Sequence, residues 1–194
     1  MFLISLLILG VYAPTSKPPT ASDHLALQRG EVVSRSEAVP GSDFLLTRGY
    51  ALIDAPPAKV FGLIDKCGNY TKVMPRTVES KELSRRNNVI VCKVVIELPM
   101  FLGRLKSVTR GVHTIGPPFW SRKWKLISGN FRHNTGLWTM RAYRRDPSVT
   151  LVEYALYALP NMHLPDVILK RATGKGVPNM LRRLRKILTG KETR

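Results

Sequence analysis

A chain of 194 residues, 44% of them apolar, has room for one ordinary domain plus an N-terminal extra, and it can bury a core without help from metals or disulfides. Lys and Arg number 31 against 13 Asp and Glu, a net charge of +18, so the surface field draws polyanions such as nucleic acid or an anionic membrane, unless the charge serves only solubility. Two cysteines exclude a disulfide scaffold, and four scattered histidines without close pairing exclude an evident metal centre, so neither metal nor cofactor is expected.

Phe2 to Ala13 is an unbroken apolar run that ends at Pro14. It is shorter than the roughly 20 residues that span a bilayer, and it has the length of a signal-peptide core, although no Lys or Arg precedes it. Residues 1–21 therefore read as a signal peptide, cut after Ala13 or Ala21, or as an uncleaved leader that tethers the chain to a membrane. Export is the expected fate. Residues 22–43 are polar and punctuated by Pro and Gly. Leu25, Leu27, Val32 and Val33 offer little to pack, so this stretch reads as a linker with one edge segment at most.

From Phe44 the pattern becomes that of a folded domain, 44–190, with 191–194 as a tail. Phe44–Asp54 reads as a strand ending at Ala55-Pro56-Pro57, and Pro is well placed to open a helix because its missing N–H has no partner there anyway. Ala58–Lys66 repeats at helical spacing until Gly68-Asn69, and a short turn follows at Tyr70–Met74. Six more strands are predicted: Thr77–Leu83, Val89–Leu98, Leu105–Ile115, Arg122–Ser128, Gly136–Arg145 and Thr150–Leu159. Short turns join them, which argues for antiparallel neighbours.

Alternation within these strands assigns their faces. Cys92, Val94, Ile96 and Leu98 oppose Lys93 and Glu97. Trp124 and Leu126 oppose Lys123 and Lys125. Trp138, Met140 and Ala142 oppose Thr139, Arg141 and Tyr143, while Val152, Tyr154 and Leu156 oppose Glu153. Ser107, Thr109 and His113 are placed inward because the other phase carries Lys106 and Arg110. One side of the sheet is thus apolar, and the other, with Glu97 and Glu153, is expected to be wet. Cys92 reads as a small buried apolar residue; in an oxidising compartment it could pair with Cys67.

The apolar side needs a cover, which the C-terminus supplies. Leu164–Thr173 is one helical stretch. After Gly174-Lys-Gly-Val-Pro178 a stripe of Met180, Leu181, Leu184, Ile187 and Leu188 resumes, with Arg182, Arg183, Arg185 and Lys186 opposite it.

The order strand, two short helices, six strands and a long last helix resembles the START-like, or helix-grip, superfamily. Ala55-Pro56-Pro57-Ala58-Lys59-Val60-Phe61, Asn69-Tyr70 before Met74-Pro75, Trp124 to Gly129, Gly136-Leu-Trp138, Val152-Glu-Tyr154 and Leu164-Pro165 agree with it. The branch it looks like is that of polyketide cyclase/dehydrase or coenzyme Q-binding START-like proteins, over roughly Leu45 to Leu188. The resemblance implies an α+β fold in which a curved antiparallel sheet of about seven strands wraps a C-terminal helix. It also implies a pocket for a lipid, sterol, quinone or polyketide. On the residues themselves, Val94, Ile96, Leu98, His113, Trp124, Leu126, Trp138, Met140, Val152, Tyr154 and Leu156 are the expected cavity set. Lys170, Arg171, Lys175, Arg182, Arg183, Arg185 and Lys186 form a cationic set suited to anionic headgroups.

No catalytic residue is assigned, since no nucleophile–base constellation can be assembled and Gly174-Lys-Gly lacks phosphate-loop spacing. Three functions compete on this reading: binding and transport of a hydrophobic small molecule, a cyclase or aromatase acting on a polyketide-like substrate, and, more weakly, nucleic-acid binding through charge. The third lacks exposed stacking aromatics, so no specific nucleic-acid partner is expected.

Overall fold

A computed structural model describes residues 13–99, 102–162 and 172–190. Its elements are α1 (Ala21–Gln28), β1 (Val33–Val39), β2 (Ser42–Ile53), α2 (Pro57–Asp65), a 3-10 turn at Cys67–Asn69, and α3 (Tyr70–Val73). Strands β3 (Thr77–Arg86), β4 (Val89–Glu97), β5 (Arg104–Thr114), β6 (Trp120–Gly129), β7 (Phe131–Tyr143) and β8 (Asp146–Pro160) follow. A wide turn at Ala172–Gly176 leads into α4 (Val177–Thr189). Residues 1–12 of the leader, most of the helix expected at Leu164–Thr173, and the tail lie outside the described residues. Among the described residues no helix is long and apolar enough to cross a membrane.

All eight strands form one antiparallel sheet in the order β1-β2-β8-β7-β6-β5-β4-β3. From β3 to β8, sequence neighbours are sheet neighbours, and β2 closes the arrangement by pairing with the last strand. Local chemistry accounts for the ends of several elements. Pro57 opens α2, where no N–H is needed. Gly190, at φ 70°, ends α4 with its N–H donating to the Lys186 carbonyl. Arg86 pairs with Val89, so Asn87-Asn88 forms the two-residue turn between β3 and β4, and Asn87 takes the left-handed φ of 50° that such a turn requires.

Two expectations need correction. The stretch read as a linker holds α1 and β1, so the sheet has eight strands where about seven were expected. Thr20 and Asp23 form a reciprocal capping box that starts α1, and β1 is an edge strand paired with β2. The outer face of the sheet is not wet throughout, since Glu153 and Arg48 are both buried there. The pairing left open for Cys67 and Cys92 is made: a disulfide joins them and fastens the turn after α2 to β4.

The main core lies on the inner face of the sheet. Val60, Phe61 and Ile64 of α2 pack with Tyr70 and Val73 of α3, Trp138, Met140, Val152 and Tyr154 of the sheet, and Met180, Leu181 and Leu184 of α4.

Candidate functional site: a cavity between the sheet and the last helix

Antiparallel registry sets inward side chains in rows across the sheet. One row runs His113, Arg122, Trp138, Tyr154 and Gly49 through β5, β6, β7, β8 and β2. The next runs Gly111, Trp124, Gly136, Leu156 and Thr47. Large and absent side chains complement each other in these rows. The Trp124 ring occupies the space where a Cβ on Gly136 would stand. At Gly49 a Cβ would lie 2.5 Å from Val177 Cγ1 and 2.9 Å from Leu181 Cδ1, because α4 comes down on β2 at that point. Trp124 stacks on Tyr154 with ring centres 5.7 Å apart, Trp138 meets Tyr154 at 4.4 Å, and the Trp124 indole N–H donates to Asn134 Oδ1 at 3.0 Å.

These aromatics wall a space that side chains leave unfilled. Between the sheet, α3 and the start of α4 lies a cavity of about 1000 Å³, at the upper end of the roughly 300–1,000 Å³ typical of small-molecule sites. Its wall is mainly apolar: Val94, Ile96, Leu98, Leu105, Phe131, Leu156, Ala158, Val177 and Met180 join the aromatics. Polar groups are few. Thr47, Ser107, Thr109, Asn134 and Arg122 face it from the sheet and Tyr70 from α3, while Arg76, Glu97, Lys175 and Asn179 also border it.

Of the expected cavity set, Val94, Ile96, Leu98, Trp124, Trp138, Tyr154 and Leu156 line this space. The other four lie elsewhere. Met140 and Val152 are fully buried in the core that includes α2, and Leu126 packs in a small cluster with Leu98, Leu105 and Phe131. His113 is inward but shielded by α2, with Phe61 edge-on at 5.3 Å. Its Nδ1 lies 3.0 Å from Asp65 Oδ1. A carboxylate only accepts, so the proton sits on Nδ1 and Nε2 is left without a partner among the described residues. Burial, reinforced by the Arg122 charge, outweighs the pull of Asp65 and pushes the His113 pKa down to about 4, so the ring is neutral at physiological pH.

Residue-by-residue reading overlooked Arg122, Tyr70 and Thr47 as lining groups. Arg122 was legible by parity, standing two residues before inward Trp124. Its Nη2 donates to Cys92 Sγ at 3.0 Å and its Nη1 to the Ile64 carbonyl at 3.4 Å, and its carbon centre stands 5.1 Å from the Tyr70 ring centre. Burial raises the pKa of both Tyr70 and Tyr154, keeping their phenols neutral.

The cationic set divides. Arg182, Arg183 and Lys186 are exposed on α4, and Lys175 borders the cavity. Arg185 turns inward: Nε donates to the Leu52 carbonyl at 2.9 Å and Nη1 to the Gly30 carbonyl at 2.6 Å, which ties α4 to β2 and to the turn after α1. It is a structural clamp and cannot reach a headgroup. Lys170 and Arg171 lie outside the described residues. Among the described residues no group of His, Cys, Asp and Glu is arranged to hold a metal ion.

Residues 53–185 match the model of the family described as polyketide cyclase / dehydrase and lipid transport. The chain belongs to this family. Solved structures agree on the fold of this polyketide cyclase / dehydrase and lipid transport family member. A STAR-related lipid transfer protein from Xanthomonas axonopodis superposes with a TM-score of 0.70 at 15% identity, covering 81% of this chain and 93% of that one. Human StAR-related lipid transfer protein 5 gives 0.72 at 10% identity, covering 82% and 83%. The Zhui aromatase/cyclase from Streptomyces sp. R1128 gives 0.54 at 12%, covering 76% and 98%. At these identities the likeness is one of fold, the START-like helix grip. None of the curated proteins compared with the chain matches it.

Proposed function

We propose that this protein binds an apolar small molecule in the cavity and carries it, without performing chemistry on it. The observation that supports this most is the unfilled volume of about 1000 Å³ behind Trp124, Trp138 and Tyr154. Interiors are normally close-packed, so a void of this size with an apolar wall is the form of a container. Membership in a family whose description includes lipid transport, and a fold shared with STAR-related lipid transfer proteins, favour the same reading.

Export belongs to this proposal. The apolar leader suggests it, and the Cys67–Cys92 bond suits an oxidising compartment. A resting place on anionic membrane is supported by Lys175 beside the cavity and by Arg182, Arg183 and Lys186 exposed on the adjacent helix.

The cyclase alternative rests on the Tyr154 phenol, a proton-bearing group inside the cavity. Glu153 is buried on the opposite face and His113 is screened by α2, so neither is placed to serve as its base. The nucleic-acid alternative loses support because Trp124 and Trp138 are turned inward, away from any surface stacking platform.

Native mass spectrometry of protein recovered without detergent, followed by solvent extraction, tests the carrier reading. It predicts one apolar guest per chain. Bare protein from its own source and from every expression host would contradict it. Turnover of a poly-β-ketone that disappears in Tyr154→Phe while guest binding persists would favour the cyclase instead.

A further inference from the structure

Arg122 is a buried cation without an anion. It is 1% exposed, and among the described residues it makes no ion pair. Its partners are a carbonyl, a sulfur of the disulfide and an aromatic face, all uncharged. The carboxylate of Asp65 is engaged by Arg85 at 2.9 Å and by His113 at 3.0 Å. Glu97, the one carboxylate bordering the cavity among the described residues, is exposed and paired with Arg104. A guanidinium cannot shed its proton, so this charge sits desolvated with no carboxylate in direct contact among the described residues, a costly arrangement unless something else pairs with it.

The cross-strand neighbours make room for the guanidinium itself and add a donor of the same polarity. Gly111 lies opposite, where a Cβ would come within 3.0 Å of Arg122 Nε. Trp138, next to Arg122 in the same cross-strand row, has its indole N–H buried without an acceptor among the described residues. Leu98, Leu105, Phe131 and Ala158, further along the cavity, carry no polar side-chain atoms. Buried donors thus gather around Arg122, while the wall toward Leu98 and Phe131 is apolar, with Arg76 and Glu97 only at its border.

We propose that the ligand is an amphipathic anion, with a carboxylate or phosphate head seated on Arg122 and Trp138 Nε1 and an apolar body lying toward Leu98 and Phe131. This deepens the carrier reading and rests on it. An acceptor-only head satisfies both the orphan charge and the orphan N–H, whereas an alcohol or ester brings no charge. Charge-assisted bonds to a planar guanidinium are the stronger kind.

The test is displacement of the neutral fluorophore N-phenyl-1-naphthylamine at pH 7.4 by a matched C16 series: palmitic acid, hexadecanol and methyl palmitate, with monopalmitoylglycerol against its phosphate. Wild type should favour acid over alcohol and ester, and phosphate over its parent, by at least about tenfold. The larger of the two gains identifies the head. The discrimination should fall to near unity in Arg122→Gln and survive in part in Arg122→Lys. Equal competition by acid, alcohol and ester in wild type would overturn the proposal while leaving the carrier reading intact. Failure of the fluorophore and every lipid to bind would strike the carrier reading itself. Should Arg122→Gln not fold, the wild-type series alone decides, with Trp138→Phe expected to weaken the acid more than the alcohol.

Discussion

Arg48 on β2 and Glu153 on β8 form a buried ion pair on the convex face of the sheet, the face that alternation assigns to solvent. The pair is the centre of a network. Arg48 Nε donates to Glu37 at 2.8 Å and its Nη1 to the Thr15 carbonyl at 2.9 Å, while Ser16 Oγ and Lys17 N–H donate to Glu153 at 2.5 and 2.9 Å. Residues 15–17 thus lie across the sheet and exclude water from it. Burial opposes the charge on Arg48, but Glu37 and Glu153 outweigh it and hold its pKa above the ordinary value.

Removing one partner leaves the other charged and buried. Glu153→Gln leaves Arg48 with Glu37 as its remaining carboxylate partner and should destabilise the fold by about 1–3 kcal/mol, read as a lower denaturant midpoint. Arg48→Met combined with Glu153→Leu should recover most of the loss. An unchanged midpoint in the single variant would show that the pair is not buried in solution.

His113 makes stability depend on pH. Its pKa falls from 6.5 unfolded to about 4 folded, so between these values the unfolded chain binds more protons. The stability from keeping this ring neutral is complete above pH 6.5 and is lost as pH falls toward 4, amounting to a few kcal/mol at most. Thermal melts across that window should show a slope that is shallower in His113→Gln. Parallel curves for the two proteins would contradict the assignment.

Gly49 is where α4 meets the sheet. Gly49→Ala places a methyl against Val177 and Leu181, and the expected cost is about 1–3 kcal/mol in calorimetry. Because Val177 borders the cavity, the same variant should change its ligand affinity. A neutral effect on both would mean that α4 sits further from β2.

The Cys67–Cys92 bond closes a loop of 25 residues, and its loss should cost about 3 kcal/mol. Melting with and without reductant checks this, and Cys67→Ser with Cys92→Ser should match the reduced protein. Insensitivity to reductant would indicate that the thiols are free.

Parity carried most of what the sequence revealed. In β4 and β6 the period of two separates Val94 from Lys93 and Trp124 from Lys123, because those strands face core on one side and water on the other, whereas β7 and β8 are covered on both faces along their middles. The same logic misplaced Glu153, since alternation cannot see that residues 15–17 return to cover the outer face. α1 and β1 went unread because their buried side chains, Leu27 and Val39 among them, are too sparse for a periodic signal. Arg122 shares the phase of Trp124, but a charge on an apolar phase carries no signal of burial until α2 and α3 are seen to cover it. Arg185 follows Leu181 by four residues and so shares its helical face, which places it inward despite its charge. Alternation places His113 inward, but its shielding by α2 is a tertiary fact that no spacing encodes.

The claim on which this account depends is an open, apolar chamber in the folded protein, and the most direct measurement is titration with N-phenyl-1-naphthylamine while exciting tryptophan. Trp124 and Trp138 line the chamber, so a bound probe should take up their emission, saturating at one probe per chain. Ile96→Trp, which fills the chamber with a larger side chain, should bind at least about tenfold more weakly while still melting cooperatively. Non-saturable binding in wild type, or equal affinity in the filled variant, would contradict the account.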